Sequence, residues 1–548
     1  MSPTHGVTLA WESIRANLQS LQSQGIDEAW FQSWSTSLER FSDLYIQALW
    51  DFSRDTKDAD AKARLDYVSQ ELKPECNRLS QTLTERAVAW QPQAAHLARI
   101  VERMRKELRF GVQEALEIDR EIDRLVQTYE DETSKTLVDI GEPVTLAKLR
   151  SLIRQEPDRQ RRKELWKKMQ AARLAHSPAV DETFLKLTRL RQEKARLCGF
   201  ETYLDFEWAR QHRTYTPDDA SEVLNYVRES FTPVIERKNA LLSSRLGVDL
   251  LRPWDDVLLV GEPKEADCFT EEDYIRAVAG AYRQLSSDFG AAVDDIAAKR
   301  HFDLMSRPNK VGGDFSTVLC EANEGLVFCN GAGDAASLRV MLHETGHALH
   351  YQAAGEHNLY FERVAPVEIM EFVAYCFQFL TTERLAVSGE LSAEAQHLVK
   401  TYAGTVMLDV FETYDATERF QHWVYKEPLV PTSSALDDAW LQTRQTLGVD
   451  WSDHQEVLKK GWQHGHIIAS PLYSIEYFVA YIGLLLFIEN YREDARQSIA
   501  GLAELLILGQ SKTIAESFAV VGVTFPFTRE AITRARLVFE REFLSLTL

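Results

Sequence analysis

Apolar residues recur at helical spacing through most of the chain. In one strongly charged stretch, the apolar positions are Ile118, Ile122, Leu125, Val126 and Tyr129. A second stripe of this kind runs through residues 185–197. Spacings of three and four place such side chains on one face of an α-helix, and we interpret these faces as core packing surfaces. The pattern predicts a mainly helical protein.

Strand patterns are confined to about residues 300–330. Two runs rich in β-branched and aromatic residues, 315–320 and 325–329, are separated by a short polar segment, which predicts a hairpin. The exposed edge of such a hairpin could hold an extended peptide through its backbone groups. The hairpin could equally serve only to brace the neighbouring helix. We therefore predict an all-α fold with one small β-sheet.

Length and charge narrow the classes of partner. At 548 residues the chain exceeds what a single hydrophobic core normally serves, so two or more lobes are expected. The 83 acidic and 62 basic residues give a net charge of -21, which argues against nucleic-acid or anionic-membrane partners. The apolar runs fall short of the roughly 20 residues that a membrane span requires.

The N-terminus and the cysteines bear on the compartment. The first residues lack the basic and apolar regions of a secretory signal. The six cysteines are widely scattered and contain no C-x-x-C pair, which is typical of reduced thiols. We predict a cytoplasmic protein.

The most informative motif is His343-Glu344-Thr345-Gly346-His347, flanked by apolar residues. Histidines four positions apart on a helix share one face, so His343 and His347 can bind a single zinc ion. Glu344 could then take a proton from a zinc-bound water as general base in peptide hydrolysis. His350 is better interpreted as a packed histidine or one that supports a ligand, because a catalytic zinc site usually takes a carboxylate as its third ligand and keeps one position open.

A helix predicted after Pro366 could supply the third ligand. Glu362 precedes the proline and should lie outside the helix. Glu368 and Glu371 are three residues apart and nearly share a face, so spacing alone does not choose between them.

These motifs resemble those of the oligoendopeptidase F, Pz-peptidase and thimet oligopeptidase group of zinc metallopeptidases. In that group a glutamate shortly after an Ala-Pro dipeptide completes the zinc site, which here implies Glu371. The stretch 307–315 also resembles the family pattern, although Asn309 stands where a glycine is usual. The segment 462–477 is similar to the one whose His and Tyr side chains hydrogen-bond the carbonyl under attack, which implies roles for His466, Tyr473 and Tyr477.

The resemblance implies two helical lobes around a deep channel that has zinc on its floor. By sequence character we divide the chain into an N-terminal helical lobe (1–140), a helical connecting region (141–300) and a catalytic region (301–548). The predicted function is that of an oligopeptidase with one zinc ion per chain, which cuts internal bonds of short unfolded peptides. A zinc metallocarboxypeptidase and a non-catalytic peptide-binding relative remain as alternatives. The sequence does not give the oligomeric state.

Overall fold

A computed structural model describes residues 3–134, 136–255, 269–355 and 359–544. Within these ranges the chain is mostly helical and has two small sheets, which confirms the predicted fold class. The helices are α1 (His5–Leu21), α2 (Glu28–Arg54), α3 (Ala59–Tyr67), α4 (Lys73–Ala89), α5 (Ala95–Glu107), α6 (Gln113–Ser134), α7 (Leu146–Gln155), α8 (Arg159–Ala175), α9 (Ser177–Leu197), α10 (Tyr203–Arg210), α11 (Pro217–Leu246), α12 (Glu271–Leu285), α13 (Ser287–Ala298), α14 (Ala335–Ala354), α15 (Val367–Thr382), α16 (Ala393–Asp409), α17 (Asp415–Tyr425), α18 (Ser433–Thr443), α19 (Gln455–Lys459), α20 (Gly465–Ile468), α21 (Ser474–Glu493), α22 (Ala495–Leu506), α23 (Ile514–Val520) and α24 (Arg529–Phe539).

The strands are short. They are β1 (Leu137–Asp139), β2 (Pro143–Thr145), β3 (Phe302–Met305), β4 (Phe315–Leu319) and β5 (Glu324–Gly331). Short 3-10 turns lie at Tyr360–Glu362 and Ser452–His454, and short π-helical turns lie at Val68–Leu72, Val410–Tyr414 and Glu540–Leu544. Within the described ranges, no helix has both the length and the apolar composition needed to cross a membrane.

One expectation from the sequence was wrong, because strands also occur outside residues 300–330. β1 and β2 form an antiparallel pair in which Val138 lies opposite Val144. Both valines are buried in a small core with Leu149 and Trp166. Strands of three residues are too short to show an alternating pattern, so the sequence carried no readable signal for them.

The predicted hairpin is confirmed, and it belongs to a three-stranded sheet. β5 lies in the centre, parallel to β3 and antiparallel to β4. The buried ammonium of Lys310 ties the sheet together, since it donates to the carbonyl oxygens of Asp303 and Met305, each at 3.0 Å, and to that of Cys329. α14 packs against both β4 and β5, so the sheet supports the helix that carries the His-Glu motif.

Asn309 shows how the chain accommodates its departure from the family pattern. Its φ is 66°, in the left-handed region where glycine is the usual residue and asparagine is the best tolerated alternative. Its carbonyl oxygen accepts a hydrogen bond of 2.7 Å from the backbone N–H of Thr56. The turn before Lys310 is therefore retained without a glycine.

The chain groups into two compact units, and each is assembled from three separate stretches. The first contains Met1–Arg109, Pro263–Lys400 and Phe487–Phe525, and the second contains Phe110–Glu262, Thr401–Leu486 and Pro526–Leu548. In the first unit, Trp11, Trp30, Phe31 and Trp34 belong to one large buried cluster. This grouping by contacts differs from the division of the chain into 1–140, 141–300 and 301–548. That division describes sequence character, and it stays a prediction. The channel between lobes also stays a prediction.

Candidate active site

His343 and His347 lie one turn apart on α14, as the motif predicts. Their ring centroids are 4.7 Å apart and the ring planes are nearly perpendicular. Asp334 is the N-cap of this helix, and its carboxylate accepts a hydrogen bond of 2.8 Å from the backbone N–H of Ser337. Together with the sheet beneath, this cap fixes the start of the helix that presents both imidazoles.

α15 brings Glu371 to the two histidines. Its carboxylate oxygens lie 3.5 Å from Nε2 of His343 and 3.9 Å from Nε2 of His347. Glu368 is buried on the same helix but outside this group of three. Glu362 lies in the short turn before α15, where its carboxylate is 3.9 Å from the Arg99 guanidinium. Of the three glutamates that the sequence offered, the structure places Glu371 beside the histidines.

Gly346 permits the close approach of α14 and α15. A Cβ atom at this position would lie 3.0 Å from Cβ of Phe377 and 3.2 Å from Cα of Ala374. The second of these contacts is to the backbone of α15, which cannot rotate away. The glycine of the motif therefore sets the spacing at which Glu371 reaches the imidazoles.

The donor atoms of His343, His347 and Glu371 fit a zinc ion. They all lie within 4.8 Å of one another, and the described residues contain no other such group. Zinc–ligand bonds of about 2.1 Å at tetrahedral angles separate the donors by about 3.4 Å, close to the shorter distance observed here. Burial and the neighbouring His343 lower the pKa of His347 to about 3, so its imidazole is in the neutral form that a metal requires.

His350 lies on the same helix but is not part of this group. It is buried, and burial lowers its pKa to about 4. Its Nε2 atom has no hydrogen-bond partner among the described residues. It is therefore a packed neutral histidine at this position.

Glu344 is almost fully buried, with 8% of its surface exposed. Burial raises the pKa of its carboxyl group to about 6, although His343 and a hydrogen bond from Ser316 act in the opposite direction. The Ser316 hydroxyl lies 2.7 Å from Oε2 of Glu344 and 2.6 Å from its backbone carbonyl oxygen. A carboxyl group with such a pKa can accept and return a proton near neutral pH.

Two residues near His343, Glu344 and Glu371 were missed by sequence reasoning. Ser316 lies on β4, within the predicted hairpin, but nothing in a single sequence showed that its side chain reaches Glu344. Tyr375 lies one turn after Glu371 on α15, and its ring centroid is 4.6 Å from that of His343. Its spacing of four from Glu371 was the available signal, since it places both side chains on one face.

His466, Tyr473 and Tyr477 come together within the second unit. Their ring centroids are 6.5 Å apart for His466 and Tyr473, 5.8 Å for His466 and Tyr477, and 5.3 Å for the two tyrosines. Tyr477 lies in the first turn of α21, whereas Tyr473 immediately precedes this helix. Burial lowers the pKa of His466, so its imidazole is neutral near pH 7.

Tyr414 belongs to the same cluster and was not predicted. Its ring centroid lies 4.9 Å from that of His466 and 5.6 Å from that of Tyr477. It closes the π-helical turn Val410–Tyr414, a distortion that often occurs at functional sites. Burial raises the pKa of its hydroxyl to about 12, so the group is a hydrogen-bond donor at all ordinary pH values.

Comparisons with known proteins agree with the fold and the motif. A sequence profile described as peptidase family M3 matches residues 152–537. A search of curated proteins found no match. The structure is similar to that of a protein assigned as oligoendopeptidase F, with 22% identity, 97% of this chain and 96% of that chain covered, and a TM-score of 0.85.

Two further solved structures show the same likeness. One is Pz peptidase A with an inhibitor, at 21% identity, 98% and 96% coverage and a TM-score of 0.85. The other is a protein assigned as oligoendopeptidase F from Bacillus anthracis, at 19% identity, 98% and 95% coverage and a TM-score of 0.83. At these identities the likeness establishes the fold.

Proposed function

Since the chain belongs to peptidase family M3, we propose that it is a zinc-dependent oligopeptidase that hydrolyses internal bonds of short, unfolded peptides. Peptidases of this family are metal-dependent. The observation that carries the proposal is the grouping of two imidazoles and one carboxylate within 4.8 Å, with the buried Glu344 directly beside the first imidazole on α14.

His343, His347 and Glu371 would hold the zinc ion. When bound there, zinc supplies Lewis acidity, which polarises the carbonyl group of the substrate and makes water more acidic. Two neutral ligands and one carboxylate would leave the zinc-loaded site with a net positive charge.

Glu344 is the proposed general base. It accepts a proton from the attacking water and passes it to the nitrogen of the leaving amine when the peptide bond breaks. Its raised pKa, about 6, suits a group that must take up a proton and release it again in one cycle. Ser316 keeps the carboxylate in place through the 2.7 Å hydrogen bond to Oε2.

For His466, Tyr473 and Tyr477 we propose the stabilisation of the oxyanion that develops on the carbonyl under attack. The support is the resemblance of segment 462–477 to the family pattern and the clustering of the three rings within the second unit. All three side chains carry N–H or O–H donors. Donors of this kind act mainly in the transition state.

β4 is the proposed docking strand for the peptide backbone. Among the described residues it has a neighbouring strand on one side only, because the sheet order is β3-β5-β4. An extended peptide added to such an edge is bound through its backbone groups and so without strong dependence on sequence. Ser316 lies on this strand, which connects the proposed docking edge directly to Glu344.

The remaining parts of the proposal concern partners and compartment. Short peptides are the proposed substrates, and a cytoplasmic location is proposed from the cysteine pattern. The net charge of -21 supports the expectation of no nucleic-acid partner.

Incubation of the purified protein with a mixed peptide library, followed by mass spectrometry of the products, tests the function. We expect internal cleavage that stops when a chelator removes the metal and returns when zinc is added. Products shortened one residue at a time from the C-terminus would indicate a carboxypeptidase instead. Tight peptide binding without cleavage by the zinc-loaded protein would indicate a non-catalytic relative.

A further inference from the structure

A fully buried ion pair lies next to the tyrosine-bearing segment of the second unit. Nη2 of Arg213 is 2.6 Å from Oε1 of Glu476, and neither side chain has any exposed surface. The guanidinium also lies over the ring of Trp208, 4.3 Å from its centroid. Removal of two charges from water is expensive, and a buried pair often adds little net stability compared with apolar residues of similar volume.

The same guanidinium holds the backbone of Leu472. Nη2 of Arg213 donates a hydrogen bond of 2.7 Å to the carbonyl oxygen of Leu472. On the other side, the backbone N–H of Leu472 donates one of 2.7 Å to Oε1 of Gln421. Both backbone polar groups of this residue are thus fixed by buried side chains.

Leu472 needs this support because its φ is 60°. This left-handed conformation is unfavourable for a residue with a Cβ atom and persists only where the surroundings impose it. The next residue is Tyr473, at which the chain turns into α21. The direction in which Tyr473 leaves the backbone therefore depends on the conformation of Leu472.

Arg213 binds the residue that precedes each of the two tyrosines. Leu472 comes immediately before Tyr473, and Glu476 comes immediately before Tyr477. We propose that Arg213, Gln421 and Glu476 are positioning residues that hold Tyr473 and Tyr477 in the orientation needed to donate to the substrate carbonyl. This inference rests on the proposed role of the tyrosines in the function above.

A structural role alone would have a different signature. If the three residues only stabilised the second unit, their loss would lower the melting temperature and leave kcat of the folded protein unchanged. If they position the tyrosines, their loss lowers kcat while KM and zinc content stay near normal. A misplacement of about 1 Å can cost about 10²-fold in rate.

The test uses Glu476→Gln and Gln421→Met in the full-length, zinc-loaded enzyme. Both replacements nearly preserve side-chain volume. We expect kcat to fall by about 10–10²-fold, with KM changed less than about threefold. Asp255→Asn is the matched control, because Asp255 is also fully buried in the second unit and is paired with Arg159 and Arg162. That variant should lose thermal stability and keep its kcat.

A mutant cycle then asks whether the effect passes through the tyrosines. In a Tyr473→Phe/Tyr477→Phe background, Glu476→Gln should lower kcat much less than it does in the wild-type background. Additive losses, or a normal kcat in both Glu476→Gln and Gln421→Met, would overturn the inference. If Glu476→Gln does not fold, Gln421→Met in the same cycle decides the question.

The failure of the proposed role of the tyrosines would look different. In that case Tyr473→Phe, Tyr477→Phe and the double variant would themselves keep a normal kcat, which would remove the role that the positioning residues are proposed to serve. A large loss in the tyrosine variants, together with a normal kcat in the positioning variants, would leave the function standing and refute only the inference.

Discussion

Glu344 is buried, has a raised pKa and accepts a hydrogen bond from Ser316. Its proposed role in catalysis can be tested separately from zinc binding and peptide binding. In Glu344→Gln we expect zinc content and peptide affinity to be retained, because this side chain is not one of the ligand group. The kcat should fall by about 10²–10⁴-fold, the usual range for loss of a general base. Steady-state kinetics with metal analysis of the same sample would measure both quantities.

Ser316→Ala provides a graded comparison for this prediction. It leaves the carboxylate in place but removes the hydroxyl that holds it, so its kcat should lie between those of Glu344→Gln and the wild type. Substantial turnover by Glu344→Gln would mean that the base is another residue.

The assignment of Glu371 as the third zinc ligand gives a second prediction about individual residues. Glu371→Ala should weaken zinc binding by more than the roughly 10–100-fold that is typical for loss of a residue that only supports a ligand. Glu368→Ala, on the same helix and also buried, is the matched control and should retain near-stoichiometric zinc. Equal retention by both variants in a metal-buffer titration would contradict the assignment.

Several individual residues could be predicted from the sequence, and others could not. The two histidines and Glu344 could be predicted from the sequence because they lie within about one turn of the same helix. The choice between Glu368 and Glu371 is not local, since it depends on how α15 packs against α14. The contact of Ser316 with Glu344 joins positions that are 28 residues apart, and no helical or strand period records such a pair.

At the scale of elements, the spacing of α14 and α15 depends on Gly346. An added methyl group would press on Cα of Ala374 at 3.2 Å, so the helices must move apart or the backbone must distort. Gly346→Ala should lower the free energy of unfolding by about 1–3 kcal/mol, as is common for overpacking, and should weaken zinc binding as well.

Gly6→Ala is the control for this helix substitution. A Cβ atom at Gly6, in the first turn of α1, meets nothing within 4 Å. Its unfolding free energy should change by no more than about 1 kcal/mol and its zinc affinity not at all. A Gly346→Ala variant that binds zinc as well as Gly6→Ala does would show that the spacing of the helices tolerates a methyl group.

The charged residues around Asp303, which lies on β3, give a prediction about pH. Burial alone would raise the pKa of Asp303, but hydrogen bonds from Arg307, Lys310 and Arg54 outweigh it and hold the pKa well below its usual range. A carboxyl group whose pKa is lowered by folding stabilises the native state above its unfolded pKa, about 3.9, and loses that contribution as the pH falls below it. The free energy of unfolding of the wild type should therefore exceed that of Asp303→Asn by a constant amount from pH 7 to about pH 5. This difference should shrink below about pH 4.

Urea unfolding at a series of pH values measures this difference. At neutral pH, Asp303→Asn should lower the free energy of unfolding by about 3–5 kcal/mol, the range for removal of one partner of a buried ion pair. The exposed Asp66, paired with Lys62 on the surface of α3, offers a control, because Asp66→Asn should cost less than about 1 kcal/mol at every pH. This prediction would be refuted if the difference in unfolding free energy between the wild type and Asp303→Asn widened as the pH fell.

The longer helices and the hairpin were predictable, because each is long enough for its period to repeat, whereas α19 and α20 contain only five and four residues. β1 and β2 were not, since they contain only three residues each. Their pairing depends on the burial of Val138 and Val144 against α7 and α8, which is a tertiary contact.

At the scale of the whole molecule, the resemblance implies an enclosed channel, and this gives a prediction about substrate size. Peptides up to about two dozen residues should be cut, as expected for a narrow cleft. A folded globular protein should survive, and the same protein should become a substrate only after it has been reduced to short fragments. Digestion of the native protein at a rate similar to that of a short peptide would count against the channel.

The grouping of the chain into two units was beyond the reach of sequence reasoning. The stretches of each unit lie far apart in sequence, and nothing in the sequence shows which of them pack together. Residues 1–109 and 487–525, for example, belong to one unit although almost 400 residues separate them. Periodicity reports the face that a helix buries and not the partner against which it is buried.

Because each unit is assembled from separate stretches of the chain, the first unit cannot be completed early in synthesis on the ribosome. Residues 1–109 lack the last stretch of their unit until residues 487–525 have emerged. At about 5–20 residues per second, the delay is roughly 20–80 s. During that time the first unit is incomplete, because α22 and α23, which pack against α14 and α15, have not yet been translated. Nascent-chain chaperones would have a long window in which to bind it, and premature termination near residue 480 would release a product in which this unit is incomplete.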